Sequence, residues 1–328
     1  MHVSLVEPNW NYEVRAKNWE NYMKERYLPI GLLKLGSLYR KMGATVELVR
    51  GDGLTLKKPD LVLITSLFTY WWQPVWDSVR TYKTLYSDAK VVVGGVYASI
   101  MPEHCKKSGC DEVHVGLMEE AEVLIPAYDL IQDCKFCVIH ASRGCIRKCS
   151  FCHVHKLEPK FEPKWSIKSE IVKPNASFLD NNLLSNPYIE KILIELIEAK
   201  VKASYCLSGV DAALVTREIA KLMFKANFRD VHISFDRADE EEACERAITY
   251  FEEAGYQRKK IGVFVLYNFE DSFEDVEKRR VLIKNWGVHI IKQRYIPIPS
   301  LTQTYLHPKW TEEECEQFAI NCREQLKD

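Results

Sequence analysis

Short β-branched runs alternate with amphipathic helical patterns along almost the whole chain, and this rhythm restricts the fold more than any other feature. The pattern between Pro29 and Gly43 is typical of a helix, with apolar side chains at helical spacing. Strands that alternate with helices form parallel sheets covered by helices. We therefore predict an α/β fold that begins with a doubly wound parallel sheet over residues 1–130. The runs that predict its strands are residues 3–8, 45–50, 60–65, 90–95 and 112–116.

A second series of strands and helices begins near residue 136. Its six βα units predict a partial (β/α)6 barrel over residues 131–300, shorter than a complete eight-stranded barrel. Residues 301–328 predict a C-terminal helical extension, a helical tail with Thr311 as N-cap. The segments that predict the barrel strands are residues 136–144, 175–182, 202–209, 229–237, 259–269 and 288–299.

Charge and hydropathy restrict the class of protein. The 328 residues include 45 basic and 46 acidic side chains, a balance that gives no electrostatic case for a nucleic-acid partner or an anionic membrane surface. No apolar run approaches the ~20 residues that a membrane span needs, and the N-terminus lacks a signal-peptide pattern. We therefore expect a cytoplasmic protein whose 11 cysteines stay reduced.

Three of these cysteines, Cys145, Cys149 and Cys152, lie within eight positions after the first predicted barrel strand. A structural zinc site takes four ligands, and disulfides take pairs. An iron–sulfur cube normally takes four thiolates, so three would leave one iron with an open position for chemistry. The alternative is a zinc-stabilised binding module. Its ligands would be the pairs Cys134/Cys137 and Cys149/Cys152, with His153 and His155 as replacements for one pair.

Residues 142–152, SRGCIRKCSFC, resemble the CxxxCxΦC signature of the radical S-adenosylmethionine (SAM) superfamily. The resemblance implies that the three cysteines hold a [4Fe–4S] cluster whose remaining iron binds the amino and carboxylate groups of SAM. Reduction would cleave the cofactor, and the 5′-deoxyadenosyl radical would abstract hydrogen from an unactivated carbon. Phe151 would shield the cluster from water. The resemblance also implies an electron donor of the flavodoxin or ferredoxin type, and a cluster carrier or sensor without radical chemistry is the remaining alternative.

The first domain resembles the cobalamin-binding-type domain of one branch of that superfamily, on residues 28–33, 94–98 and 116–120. The best-known cobalamin site on this fold contains a histidine, but residues 51–55 read GDGLT. Cobalamin would then bind without a histidine ligand and support methyl transfer, or the domain would be a relic that covers the substrate cavity. Aromatic segments from Trp10 to Trp19 and at 68–72 would stack on a corrin ring or line an apolar substrate, or else seal a domain interface.

The resemblance also assigns binding positions at the carboxyl ends of the barrel strands. Asp180 and Asn182 follow the second strand, in a loop that resembles the family's acidic loop for the methionine amino group; for Asp180 a helix N-cap is the alternative. Asp236, after the fourth strand, would bind ribose hydroxyls, or pair with Arg237 or a neighbouring helix instead. The other positions are Ser208 after the third strand, Ser234 in the fourth, and Val265 and Tyr267 in the fifth, which would pack on adenine. The substrate, a small molecule or a peptide, is not identified by the sequence.

Overall fold

The computed structural model describes residues 1–10, 28–51 and 53–325, so the aromatic position Trp19 and the loop residue Asp52 lie outside the described residues. The chain forms two compact units. Unit 1 comprises Met1–Lys135 together with Ile298–Gln303, and unit 2 comprises Phe136–Pro297 together with Thr304–Asp328. In the described residues, no helix combines the length and apolar character required to cross a lipid bilayer.

Unit 1 contains a five-stranded sheet in the order β2-β1-β3-β4-β5, paired in parallel throughout. The strands are β1 His2–Glu7, β2 Thr45–Arg50, β3 Leu61–Ser66, β4 Lys90–Gly95 and β5 Glu112–Val113. The helices are α1 Ile30–Lys41, α2 Trp72–Leu85, α3 Val96–Ile100, α4 Pro102–Lys106 and α5 Glu119–Glu122. This order confirms the predicted doubly wound sheet.

The central strand β3 is a continuous apolar run because it is buried on both faces. Leu61 and Leu63 belong to the core that contains Leu32 of α1, while Val62 and Ile64 belong to the core that contains Val75 of α2. Successive side chains of a strand point to opposite faces, so a strand covered on both faces needs apolar residues at every position.

Unit 2 contains six parallel strands in two groups of three, in the orders β10-β9-β6 and β11-β12-β13. A parallel bridge between Val210 and Ile233 links the groups. The arrangement confirms the partial (β/α)6 barrel, and it does not close into a ring. The six strands are β6 Phe136–Ile139, β9 Asn175–Phe178, β10 Ala203–Cys206, β11 His232–Ser234, β12 Gly262–Tyr267 and β13 His289–Arg294. The short antiparallel hairpin is β7 Ser142–Arg143 and β8 Glu162–Pro163, and the helices are α6 Val154–Leu157, α7 Ile189–Glu198, α8 Arg217–Lys225, α9 Glu241–Ala254, α10 Phe273–Asn285 and α11 Glu312–Gln325.

The C-terminal helix α11 is built into unit 2. Phe318 of α11 packs on Tyr267 with ring centroids 4.9 Å apart, and Arg294 forms an ion pair of 2.6 Å with Glu312. Thr311 is the N-cap, since its hydroxyl accepts a hydrogen bond of 3.1 Å from the backbone N–H of Glu314. The helical tail therefore covers one face of β12 and β13.

Asn268, directly after β12, fastens the segment that leads to this helix. Its buried amide donates to the carbonyls of Tyr295 and Tyr305, both at 3.0 Å, and accepts from the N–H of His307 at 2.9 Å. Its φ of 63° lies in the left-handed region, which asparagine tolerates better than most residues other than glycine. Asparagine therefore keeps the backbone shape that glycine would give and adds three hydrogen bonds.

The loop after β3 is closed by residues 298–303. The Thr69 hydroxyl donates a hydrogen bond to the carbonyl of Ser300, and the indole N–H of Trp72 donates to the carbonyl of Leu301 at 3.2 Å. A segment distant in sequence thus completes the carboxyl edge of the unit 1 sheet, the edge where ligands of doubly wound sheets bind.

Candidate active site

The three clustered cysteines lie in one loop at the carboxyl end of β6, and we refer to residues 144–152 as the cysteine loop. Cys145, Cys149 and Cys152 are each partly exposed and free. Burial raises the pKa of the Cys149 thiol, and Cys152 and Cys145 raise it further; burial and Cys145 likewise raise the pKa of Cys152. The three thiols are therefore close enough for each ionisation to oppose the next, and a bound cation would relieve this repulsion.

In the described part of the chain, no three His, Cys, Asp or Glu side chains are arranged to hold a single metal ion. An iron–sulfur cluster makes a different demand, because each thiolate binds its own iron atom. Three partly exposed sulfur atoms on one loop fit that donor set. Cys137, in contrast, is buried in β6, where its thiol donates to the carbonyl of Asn175 at 3.2 Å.

The start of the cysteine loop is fixed by Gly144 and Glu158. Gly144 has a φ of +73°, and a Cβ atom there would lie 2.2 Å from the carbonyl oxygen of Lys160. Glu158 accepts a hydrogen bond of 2.6 Å from the N–H of Gly144 and pairs with Arg143 at 3.2 Å. The same carboxylate accepts from the amide of Asn181 at 3.0 Å. The sequence carries no local signal for Glu158, because its partners come from two different loops.

Asp211 holds the middle of the cysteine loop. Its Oδ2 accepts from Arg147 Nε at 2.8 Å and from Asn182 Nδ2 at 3.4 Å, and its Oδ1 accepts from the N–H of Ala213 at 3.1 Å. Asn182 is 5% exposed, and its Oδ1 has no hydrogen-bond partner among the described residues. Because Asp211 accepts a hydrogen bond from the amide nitrogen of Asn182, the orientation of this side chain is fixed, and its buried Oδ1 is an acceptor available to a ligand.

Asp180 has a different surrounding from the two expected for it. Its fully buried carboxylate accepts from the N–H of Ala141 at 2.9 Å and from the N–H and hydroxyl of Ser142 at 2.6 and 2.7 Å. Burial raises the pKa of Asp180 to about 6, and these hydrogen bonds oppose the rise. Asp180 is thus neither a helix N-cap nor an exposed acceptor; it fixes the backbone at the start of β7, and Asn182 Oδ1 is the acceptor left open nearby in the sequence.

The two positions expected to pack on adenine, Val265 and Tyr267, lie in β12. Tyr267 packs on Phe318 of α11, and Val265 shares its face because the two are separated by one residue in β12. Both side chains are buried on the helix-covered face. Phe264 and Leu266 point to the opposite face and are partly exposed. The sequence could not separate the two faces, since both carry large apolar side chains.

The remaining assigned positions lie at the ends of β10 and β11. Ser208 is exposed in the turn after β10, and Ser234 is partly buried at the end of β11. Asp236 accepts a hydrogen bond of 2.9 Å from the N–H of Leu266, so it ties the loop after β11 to β12. Arg237 pairs with Asp239, at 3.1 Å, and with Glu240. The expected alternative, a pair between Asp236 and Arg237, is therefore not the arrangement found.

Phe151 connects the cysteine loop to the end of β12. Its ring packs edge-on against Phe269 with centroids 5.9 Å apart, and Phe269 packs in turn on Tyr295 at 4.5 Å. Edge-to-face contacts of this kind stabilise beyond the area that they bury. The aromatic contact anchors the cysteine loop immediately before Cys152.

No protein-family model and no curated protein matches the sequence. The structure is similar to the radical SAM methyltransferase TsrM from Kitasatospora setae, solved with cobalamin and a [4Fe–4S] cluster bound, with a TM-score of 0.62 and 15% identity over 89% of this chain and 74% of that one. TsrM with its tryptophan substrate and the SAM analogue aza-SAM also gives a TM-score of 0.62, at 15% identity over 90% and 73% of the two chains. This chain has the radical SAM fold. The resemblance seen in the cysteine motif is thereby confirmed at the level of the fold, with a barrel-type unit 2 that follows a doubly wound unit 1.

Within this radical SAM fold, Asp236 makes stability depend on pH. Burial raises its pKa to about 6 from 3.8, so the native state holds a proton that the unfolded state has lost between these values. The contribution of Asp236 to stability is fully present below about pH 4 and is lost as the pH rises through 6, by roughly 3 kcal/mol for this difference in pKa.

We expect Asp236→Asn to remove this dependence, because the amide oxygen can still accept from Leu266. Urea unfolding of the apo protein between pH 4 and 7 checks it. The stability of the wild type relative to the variant should fall by up to about 3 kcal/mol across that range. Parallel pH profiles for the two proteins would contradict the assignment.

Proposed function

We propose that this chain is a radical SAM enzyme that abstracts hydrogen from an unactivated carbon of a small-molecule or peptide substrate. The observation that carries the proposal is the position of Cys145, Cys149 and Cys152, three partly exposed thiols in one loop after the first barrel strand of a radical SAM fold. These cysteines would hold a [4Fe–4S] cluster, which when bound supplies the electron that cleaves SAM.

The chain's own residues would bind and orient SAM. Asn182 Oδ1 is the acceptor best suited to the methionine ammonium, because it is buried, oriented by Asp211 and otherwise unsatisfied. Phe264 and Leu266 would pack on adenine from the face of β12 that the helices leave uncovered. Ser208, Ser234 and Asp236 would serve the polar groups of the cofactor at the neighbouring strand ends. Phe151, packed on Phe269, would exclude water beside the cysteines.

Anaerobic reconstitution with iron and sulfide, followed by SAM and dithionite, tests the proposal. We expect a visible absorption band that bleaches on reduction, and 5′-deoxyadenosine detected by mass spectrometry. A colourless protein that retains zinc would favour the binding module instead, while a stable cluster without 5′-deoxyadenosine would favour a carrier or sensor. Replacement of dithionite by a reduced flavodoxin or ferredoxin tests the proposed class of electron donor.

We further propose methyl transfer assisted by cobalamin, bound by unit 1 without a histidine ligand. Gly95 at the end of β4 has a φ of +100°, and a Cβ atom there would lie 2.3 Å from the carbonyl of Ser66, so only glycine fits. Gly95 is exposed, and this edge of the sheet therefore presents backbone without a side chain at that position. Phe68 is 41% exposed and stacks on Tyr70 at 5.0 Å, a flat apolar surface at the same edge. Trp10 and Trp71 stack on each other at 5.9 Å within the core, so they are less suited to the role expected from the sequence.

His104 of unit 1 packs against Trp72, next to Trp71 in the sequence, and its contacts argue against cobalt ligation. The indole N–H of Trp76 can only donate, and it donates to the Tyr97 hydroxyl at 3.1 Å. The Tyr97 hydroxyl also lies 2.7 Å from His104 Nδ1, in a hydrogen bond whose donor depends on the imidazole tautomer. This bond engages Nδ1, and the packing of the ring against Trp72 and Trp76 holds His104 inside an aromatic cluster, where burial lowers its pKa.

We therefore expect the electron paramagnetic resonance spectrum of cob(II)alamin-loaded protein to lack nitrogen superhyperfine splitting from a protein histidine. Uniform ¹⁵N-histidine labelling makes the measurement specific, because only a bound imidazole would change the pattern on labelling. Phe68→Ala should weaken cobalamin retention, while Phe224→Ala, an exposed phenylalanine of α8, should not. A label-dependent splitting would overturn the prediction, and complete failure to retain cobalamin would support the relic domain.

A further inference from the structure

Two carboxylates connect the cysteine loop to the loop after β9, which we refer to as the asparagine loop, residues 179–182. Glu158 contacts Gly144 in the first loop and Asn181 in the second. Asp211 contacts Arg147 in the first loop and Asn182 in the second. Neighbouring asparagines are thus each held by a carboxylate that also holds the cysteine loop.

Both carboxylates are shielded from solvent, since the side chains of Glu158 and Asp211 are each 17% exposed. Hydrogen bonds to charged groups in such surroundings are stronger than those at an open surface. Each carboxylate accepts from three donors, of which one lies in the cysteine loop and one in the asparagine loop. The two loops therefore cannot shift independently without breaking several of these bonds.

We propose that Glu158 and Asp211 are positioning residues that fix the cysteine loop relative to the asparagine loop. The cluster and the residue that binds the ammonium of SAM are thereby held at a fixed relative position. This inference rests on the proposed function and extends it to residues that touch neither group. Glu158 would set the backbone before Cys145, and Asp211 would set the amide orientation of Asn182.

Replacement of each carboxylate by the corresponding amide tests its role as an acceptor, because the side chain keeps its shape while one acceptor oxygen becomes an NH2 donor. In Glu158→Gln, the new NH2 faces either Arg143 or the N–H of Gly144, depending on its rotation, and both are donors. In Asp211→Asn, it faces either Arg147 or the N–H of Ala213. Glu170→Gln is the control, since the Glu170 carboxylate accepts a hydrogen bond of 2.6 Å from Lys164, which lies in neither loop.

Two measurements test the inference. In the apo protein, amide hydrogen exchange of residues 144–152 and 179–182 should quicken in Glu158→Gln and Asp211→Asn but not in Glu170→Gln. In the reconstituted protein, the Kd of SAM should rise about tenfold in the two variants, which equals about 1.4 kcal/mol. SAM changes the electron paramagnetic resonance spectrum of the reduced cluster, and this change should be smaller in the two variants because they bind SAM more weakly.

Asn181→Ala is the second variant, because Asn181 is exposed and its loss removes only the link from the asparagine loop to Glu158. It should quicken exchange in residues 179–182 and weaken SAM binding in the same direction. Variants that match Glu170→Gln in exchange, Kd and spectrum would overturn the inference. A wild-type protein that binds no cluster would instead overturn the proposed function, and the exchange result would still decide whether the two loops are coupled.

Discussion

Replacement of Cys145, Cys149 or Cys152 by alanine, one at a time, is expected to abolish both the iron–sulfur cluster and the formation of 5′-deoxyadenosine. Each thiolate would hold a separate iron atom, so no neighbouring cysteine can replace it. The three side chains are partly exposed on one loop, and their removal leaves no cavity in the core. Iron and sulfide analysis after anaerobic reconstitution, with mass spectrometry for 5′-deoxyadenosine, gives the result directly. Activity should fall to the level of the control without protein.

Cys134→Ala and Cys137→Ala are the matched controls. Cys137 is buried and bonded to the carbonyl of Asn175, so its replacement should lower stability and leave the cluster content near that of the wild type. Substantial loss of iron in either control would indicate a second cluster or a mixed site. Survival of the cluster in any one of the three loop variants would remove that cysteine from the ligand set.

Gly144→Ala is expected to destabilise the protein strongly and to disturb the cysteine loop. The left-handed φ of +73° alone costs an alanine about 1–2 kcal/mol. Its Cβ would also lie 2.2 Å from the carbonyl of Lys160, so the backbone must move, at a further cost of about 1–3 kcal/mol. Because the N–H of Gly144 binds Glu158, that movement also displaces the start of the cysteine loop. The free energy of unfolding measured in urea and the iron content after reconstitution should both decrease.

Gly287→Ala separates the two causes. Gly287 has a similar φ of +69° in the same unit, but a Cβ atom there meets nothing within 4 Å. It should cost only the conformational part, about 1–2 kcal/mol, and leave the iron content unchanged. Equal effects from the two alanines would mean that the close approach to Lys160 does not matter.

The parts of the molecule that could be predicted from sequence are those with local causes. The doubly wound sheet and the six-stranded barrel follow from the alternation of β-branched runs and amphipathic helices, and the cysteine loop follows from its spacing after a strand. The burial of Val265 and Tyr267 on the helix-covered face of β12 could not be predicted, because both faces of this strand carry large apolar side chains.

Other features depend on contacts between distant residues. Glu158 and Asp211 resemble ordinary surface acids in the sequence, and only the fold brings them against the cysteine loop. The sequence around Asp180 predicts an acceptor for the methionine amino group or a helix N-cap. It does not indicate the partners of this carboxylate, Ala141 and Ser142, because they lie 39 and 38 residues away in the chain. The left-handed backbone of Asn268 becomes evident only in the structure.

The placement of residues 298–303 in unit 1 has a consequence for the order in which the protein is made. Ribosomal synthesis produces residues 1–135 first, but the partners of Thr69 and Trp72 in that unit are produced only after the whole of 136–297. The nascent N-terminal sheet can collapse early, since domains generally fold as they emerge. Its carboxyl edge nevertheless stays incomplete until the last barrel strand has been translated. A fragment that stops at residue 135 should therefore leave the partly buried Trp72 indole more accessible to solvent quenchers. A chain split at residue 297 should recover the protection of this indole only when the second piece is supplied.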